Sequence, residues 1–303
     1  MRVLITGAGG FIGKACVARF ILTGRQVRAI SRRLITPCEG LDSVCLTDPL
    51  AADWRSLLEG VDCILHLAGI AHQPGAVATE YEDINIRLTE LLAEAGIAVG
   101  VKRFVLLSSV AVHGRQCGHV DESSPMYPVD SNGRSKAIAE SRLQKIAHAT
   151  SMEWTIVRPP MVYGAGAPGN FRILAKWVRR GIPLPLLAAR SPRSYIGIDN
   201  LIEALLCVTE HPKAANRIYL VSDNNDLGTA DLISLMARAL GRRPRLWWLP
   251  QWSLRLGAVF LGRAADAERI LGGLQLDTAA IRNELGWTPH VPVEIGIALA
   301  MDG

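Results

Sequence analysis

A five-residue apolar run, RVLIT at 2–6, leads without a break into TGAGGFIG and then into a helix-forming stretch. No other feature narrows the possible folds as far. Gly7, Gly10 and Gly13 recur every third residue where a strand must turn sharply and re-enter as a helix. The three positions suit, in order, a tight turn, a close backbone approach to an anion and close helix-to-strand packing, with the helix amide end facing the negative charge. In this strand–turn–helix setting the pattern predicts a dinucleotide pyrophosphate site, with Phe11 and Ile12 between the second and third glycines.

The rest of the first half repeats the alternation. RVLIT, QVRAIS, SVCLT, DCILHLAG, RFVLLSSV and WTIVRP are short runs rich in Val, Ile and Leu, separated by longer stretches of helical periodicity. Continuous apolar strands joined by helices predict an α/β fold: a doubly wound parallel Rossmann sheet covered on both faces. After Pro160 the pattern loosens into MVYGAGAPGN and GIPLPL, then into shorter helices. The expected organisation is a dinucleotide-binding domain over 1–163, continued by roughly 193–222. A smaller substrate-binding domain is expected from 164–192 and 223–303.

The end of the second strand selects the cofactor. An acidic residue there would bind a ribose 2′-hydroxyl, whereas arginine accepts a 2′-phosphate. The sequence reads AISRRL, so Ser31, Arg32 and Arg33 favour NADP(H), with NAD(H) as the alternative. Asp48 is a candidate for the adenine amine, and a local capping carboxylate is nearly as good a reading of it.

Composition excludes other classes. With 20% charged and 49% hydrophobic residues in 303, the chain is globular. The net charge of +5 is spread along the sequence, which argues against nucleic acid as a partner. Cys16, Cys38, Cys45, Cys63, Cys117 and Cys207 form no CxxC pair and follow no metal spacing, so reduced thiols are expected. The apolar strand begins at the second residue and leaves no room for a signal peptide, giving a cytoplasmic expectation. The one suspicious segment, LWWLPQWSLRLGAVFLG at 246–262, is interrupted by Pro250 and Arg255 and is short for a span. It reads as a partly buried helix with an aromatic edge, with a membrane-surface contact as the second reading.

TGAGGFIG, HLAG at 66–69, LLSSVAVHG at 106–114, GRSK at 133–136 and RPPMVYGAG at 158–166 occur in one order. With them the chain resembles an extended short-chain dehydrogenase/reductase. More narrowly it is similar to the nucleotide-sugar epimerase, dehydratase and 4-reductase group. RSYIGIDNL at 193–201 and ELGWTP at 284–289 carry the likeness nearly to the end. The resemblance implies that Leu67, Ala68, Gly69, Lys136 and Pro159 also face the cofactor. It places Asn85 behind the active-site strands, and Asn170, Arg193, Tyr195 and, in a looser alignment, Arg269 around the diphosphate of a sugar donor, expected to be UDP-linked. Homodimers by helix pairing are common among such relatives.

The resemblance also implies a catalytic Ser/Thr, matched by Ser109, and a tyrosine four residues before a lysine. Lys136 matches, but the tyrosine position holds Asn132. A phenol exchanges a proton with the sugar C4 oxygen while the ammonium lowers its pKa; a carboxamide only hydrogen-bonds. Three accounts stay open: an active enzyme disabled at this residue, catalysis through another acid, or a catalytically silent NADP-binding regulator. Tyr127 and His113 are the two side chains that could replace the phenol. The expected activity is NADP(H)-dependent reduction or epimerisation at C4 of a nucleoside-diphosphate hexose, with 4-keto-sugar reduction favoured by the Ser-Arg-Arg signature. Val110 and Ala111 stand where dehydratase relatives carry an acidic pair, which disfavours dehydration.

Overall fold

A computed structural model describes every residue except 72–76, 115–117, 261, 263 and 303, and no side chain at 264–266 or 269. Strand β1 (Arg2–Thr6) leads to helix α1 (Phe11–Leu22), β2 (Gln26–Ser31), β3 (Leu41–Cys45), the short α2 (Trp54–Leu57) and β4 (Cys63–His66). A helical segment then runs through α3 (Ala78–Tyr81), a π-helical turn at Glu82–Arg87 and α4 (Leu88–Val99) into β5 (Arg103–Leu107). A 3-10 turn at Val110–His113 precedes β6 (His119–Val120), α5 (Ser131–Ala147), β7 (Glu153–Arg158), β8 (Met161–Tyr163) and α6 (Gly169–Arg179). The remainder is β9 (Tyr195–Gly197), α7 (Ile198–Glu210), β10 (Arg217–Leu220), α8 (Thr229–Ala239), α9 (Gln251–Phe260), α10 (Ala264–Leu271), β11 (Gln275–Leu276), α11 (Ala279–Leu285) and α12 (Val293–Asp302).

Seven strands form one parallel sheet in the order β3-β2-β1-β4-β5-β7-β10. The order reverses at β1, and a doubly wound sheet opens its binding crevice at the carboxyl ends of the strands on either side of that reversal. Both faces are dry. Val3, Ile5, Phe20, Leu65, Val105 and Leu205 join one core, which α1, α7 and α11 cover. Leu4, Ile64, Leu92, Phe104, Leu143 and Ile156 join another, beneath α2, α4 and α5. Opposite-face burial along each strand is why these runs read as continuously apolar rather than alternating.

A third core gathers Tyr163, Phe171, Leu174, Met236, Ile297 and their neighbours from β8, α6, α8 and α12. Two small parallel pairs, β8 with β9 and β6 with β11, tie the late segments to the sheet end of the molecule. Neither pair is legible in the sequence, because strands of two or three residues are too short to show a period. The third strand covers LDSVC rather than SVCLT, and the helix expected from AADWRSLLEG shortens to four residues capped by Asp53, whose carboxylate accepts from the Ser56 amide at 3.3 Å. The helix expected to be partly buried within 246–262 spans ten residues, none fully buried, with Leu254 half-buried against the third core and Trp252 exposed at its edge. The five described cysteines are free thiols, Cys117 lying outside the described residues. Among the described residues no helix is long and apolar enough to cross a membrane.

Candidate active site

The first glycine turn is built by contact. Gly7 has φ +67°, and a Cβ there would lie 2.7 Å from the Ala68 nitrogen; a Cβ on Gly13 would lie 2.1 Å from the Gly7 carbonyl oxygen. Only glycine lets the turn, the helix and the Leu67–Gly69 segment approach so closely. The Gly10 amide donates to Gly7 at 2.9 Å, and the Ala8 amide to Ile30 at 3.1 Å. Helix α1 then starts after Gly10 with no side-chain cap and no acid in its first turn, leaving its leading amides for an anion. This cradle fits a dinucleotide pyrophosphate.

Phe11 turns toward the later segments, its ring edge 3.2 Å from where a Gly164 Cβ would stand. Ile12 and Leu67 pack on one core, Ala68 on the other. Ser31 is buried at the end of β2, next to Gly9, and its hydroxyl donates to the Arg33 carbonyl. Arg32 and Arg33 are exposed and make no ion pair among the described residues. Exposed Asp48 accepts from the amides of Leu50 at 3.0 Å and Ala51 at 3.4 Å, so its carboxylate closes its own turn.

The second half of the site is the amino end of α5. Asp130 caps it by accepting from the Gly133 amide at 2.8 Å. A Cβ on Gly133 would lie 2.4 Å from the Ala111 carbonyl oxygen, so the helix end is pressed against the turn that follows Ser109. Ser109 accepts from the Ala111 amide at 3.1 Å, leaving its own hydroxyl proton for another acceptor. Pro159 holds the same turn through its carbonyl, which accepts from the Val110 amide at 3.1 Å.

Lys136 is buried, and its ammonium donates to the Leu107 carbonyl at 2.8 Å. Burial lowers its pKa from 10.5 to about 8, with Glu140 pulling the other way. A Cβ on Gly69 would stand 3.0 Å from both Lys136 Nζ and Asn85 Oδ1. Asn85, buried in the π-helical turn, accepts from the Ile70 amide at 2.8 Å and donates to the Ile70 carbonyl at 3.0 Å and the Ser135 hydroxyl at 2.8 Å. Ser135 donates in turn to the Asn132 carbonyl at 3.0 Å. Asn132 Oδ1 is buried without a hydrogen-bond partner among the described residues. A polar atom of this kind is what an arriving donor satisfies.

Behind the corner lies a buried ion pair that sequence reasoning missed. Arg158 grips Glu140 through Nε–Oε1 at 3.0 Å and Nη2–Oε2 at 2.5 Å, and the Ser108 hydroxyl donates to the same carboxylate. His113 is wholly buried with Nε2 3.0 Å from Arg158 Nη1 and Nδ1 3.3 Å from the Pro125 carbonyl. A guanidinium only donates, so Nε2 accepts and the proton sits on Nδ1; burial and the arginine lower the histidine's pKa. His113 therefore faces Arg158. Tyr127 is 66% exposed on the adjoining loop. The signal for the pair was Glu140, a carboxylate four residues after Lys136 on a buried helix face.

On the later segments Asn170 lies half-buried in the first turn of α6. Arg193 is half-buried and pairs its backbone with Leu227 in both directions at 3.1 and 3.0 Å. Tyr195 is buried in the third core; burial raises its pKa while the Arg193 charge opposes the shift. The side chain of Arg269 lies outside the described residues. Also unforeseen is the Asp223 hub, which accepts from Tyr163 at 2.6 Å, Asn200 at 2.7 Å and the Gly197 amide, and locks the third core onto the sheet.

Known proteins share this fold. The NAD dependent epimerase/dehydratase family profile matches residues 3–222. A UDP-glucose 4-epimerase of Vibrio cholerae is 33% identical over 304 aligned positions, covering 97% of this chain and 92% of that protein. The N-acetyl-alpha-D-glucosaminyl-diphospho-ditrans,octacis-undecaprenol 4-epimerase of Escherichia coli O157:H7 is 26% identical, over 82% of this chain and 75% of its own length. UDP-glucuronic acid 4-epimerase from Bacillus cereus, solved in complex with NAD, superposes with a TM-score of 0.82 at 20% identity, over 100% of this chain and 96% of that one. The chain belongs to the NAD dependent epimerase/dehydratase family.

Proposed function

We propose that this chain binds NADP(H) and a nucleoside-diphosphate hexose and is built for hydride exchange at the sugar C4, with 4-keto-sugar reduction as the direction that suits NADPH. What carries the reading is the corner where Lys136 Nζ and Asn85 Oδ1 both crowd Gly69, beside a glycine cradle that only backbone can line. Two relatives named for 4-epimerase activity on diphosphate-linked sugars support the substrate class.

When bound, the nicotinamide dinucleotide supplies or accepts the hydride. Lys136, oriented by the Leu107 carbonyl, would hold the nicotinamide ribose, while Gly7, Gly10 and Gly13 would face the pyrophosphate and Arg32 and Arg33 the 2′-phosphate. Ser109, with its oxygen already accepting from Ala111, would donate its proton to the C4 oxygen. Asn132 offers that oxygen an amide N–H and no titratable proton. Asn170 and Arg193 would hold the donor diphosphate, Arg193 through its planar fork. The proton step at C4 is therefore the impaired one, and binding is retained.

A catalytically silent dinucleotide-binding protein of the same fold is the second reading, and Asn132 is the observation that favours it. Titration calorimetry with NADPH, then with UDP-hexoses on the NADPH-loaded protein, tests the proposal. Both ligands should bind, and Arg193→Ala should weaken only the second. No heat from any nucleoside-diphosphate sugar would remove the substrate assignment.

A further inference from the structure

The third core's outer face presents an apolar surface that nothing in the site uses. Trp247, Trp248, Trp252, Leu256, Val259 and Phe260 are between 48% and 82% exposed. The last four fall at positions i, i+4, i+7 and i+8 of α9, a single helical stripe. Half-buried Leu254 packs this helix on the core, so the stripe points outward by the helix's own geometry. The two preceding tryptophans stand on a segment fixed by backbone bonds: Leu184 donates to Arg245 at 2.9 Å, Trp247 to Leu184 at 3.0 Å and Leu187 to Trp247 at 3.2 Å. Gln251 adds a side-chain bond to the Ala188 carbonyl at 2.7 Å. The patch is thus held in place before any partner arrives.

Its flank is basic. Arg180, Arg242, Arg243 and Arg245 line a cavity of about 540 Å³ next to the aromatic segment. Arg242 and Arg245 each direct one Nη1 to a backbone carbonyl, of Arg179 and Gly181, which fixes the guanidinium planes and leaves other N–H groups facing out. Arg242, Arg243 and Arg245 are all exposed, and no acidic side chain pairs with them among the described residues. Exposed tryptophans, an apolar helical stripe and an arginine cluster at one edge have one partner that satisfies all three. The indoles seek the polar–apolar boundary, the stripe seeks acyl chains and the arginines seek phosphates.

We infer that residues 242–260 form a docking surface for an anionic phospholipid bilayer, with α9 lying in the interface plane and Arg180, Arg242, Arg243 and Arg245 meeting the headgroup phosphates. The ten-residue helix lies on the membrane and does not cross it. This surface is independent of the catalytic reading, since no residue of it belongs to the Lys136 corner or the glycine cradle.

The test is sedimentation of the full chain with vesicles of phosphatidylcholine alone or mixed equally with phosphatidylglycerol, read alongside quenching of tryptophan fluorescence by brominated phosphatidylglycerol. The unmodified protein should pellet with the anionic vesicles at low salt, release at high salt and be quenched by the brominated lipid. Trp252→Ser with Phe260→Ser should abolish pelleting without lowering Tm, because both side chains are exposed. Arg242→Ala with Arg243→Ala should weaken partitioning roughly twenty-five-fold, about a factor of five for each cation at an anionic surface. Failure to bind anionic vesicles, binding without quenching, or binding unchanged in the Trp252/Phe260 double variant overturns the inference. So does a dimer by sedimentation velocity that dissociates in that variant and ignores lipid, which would assign the face to a second copy of the chain.

Discussion

Asn132 and Lys136 stand one turn apart on the same face of α5, yet they are satisfied differently. The lysine ammonium is bonded to the Leu107 carbonyl at 2.8 Å, while Asn132 Oδ1 is buried with no partner among the described residues. Ser135, between them, ties the Asn132 carbonyl to Asn85. The backbone at the start of α5 is therefore held in place without any help from the side chain at 132. A substitution at that position changes the chemistry offered to a ligand more than it changes the scaffold.

Asn132→Tyr should consequently raise turnover of a UDP-4-keto-hexose by about 10² to 10⁴, the usual worth of a positioned acid or base. The gain should vanish again in Asn132→Tyr/Ser109→Ala. NADPH absorbance decay under single-turnover conditions measures both. Equal rates for the unmodified chain and the tyrosine variant would mean that another proton donor serves the site, and Tyr127→Phe would be examined next.

Lys136 gives a pH signature even without ligand. Its folded pKa, about 8, lies below the ordinary 10.5, so between these values the unfolded chain holds a proton that the folded chain has released. Stability therefore rises with pH across that window, and the burial penalty is fully present below it. Relative to Lys136→Met, the unmodified protein should gain up to about 3 kcal/mol as pH climbs from 8 toward 10.5. Urea midpoints for the two proteins at intervals of pH check this; parallel curves would mean that the ammonium is not desolvated.

The Glu140–Arg158 pair is a second buried electrostatic element, with both side chains almost fully enclosed at 2% and 3% exposure. Removing one partner leaves a desolvated charge, typically about 3–5 kcal/mol of destabilisation. Glu140→Gln should show that loss in chemical denaturation. The double variant Glu140→Leu/Arg158→Leu should be less destabilised than Glu140→Leu alone, because no charge is then stranded.

Much of this architecture was legible for a physical reason. Strands buried on both faces are continuous in Val, Ile and Leu, and the three glycines of the first turn are demanded by contacts such as the one between Gly13 and the Gly7 carbonyl. Lys136 and Asn132 were found through the family resemblance, which implies a tyrosine four residues before the lysine. The Glu140–Arg158–His113 network was not, since partners 18 and 45 residues apart share no local period. The π-helical turn that delivers Asn85 escaped because its extra residue shifts the apolar stripe without breaking it. The extent of the exposed stripe on α9 was not legible, because a helical period shows that one side is apolar and does not say whether anything covers it.

The proposed preference for NADPH rests on the end of β2. Ser31 is buried beside Gly9 and donates its hydroxyl proton to the Arg33 carbonyl, so the strand end offers a ribose 2′-hydroxyl a serine oxygen and not the carboxylate that marks an NAD site. Arg32 and Arg33 extend into solvent without ion-pair partners among the described residues, and two guanidiniums near a phosphate each contribute a charge-assisted bond of about 1.5–3 kcal/mol. NADPH should accordingly bind at least roughly tenfold more tightly than NADH by fluorescence titration, since even one such bond corresponds to about that factor. Arg32→Ala/Arg33→Ala should remove the difference while leaving NADH affinity nearly unchanged, because the glycine cradle is untouched. Equal affinities in the unmodified chain would assign the site to NAD(H) and leave the two arginines as surface charge.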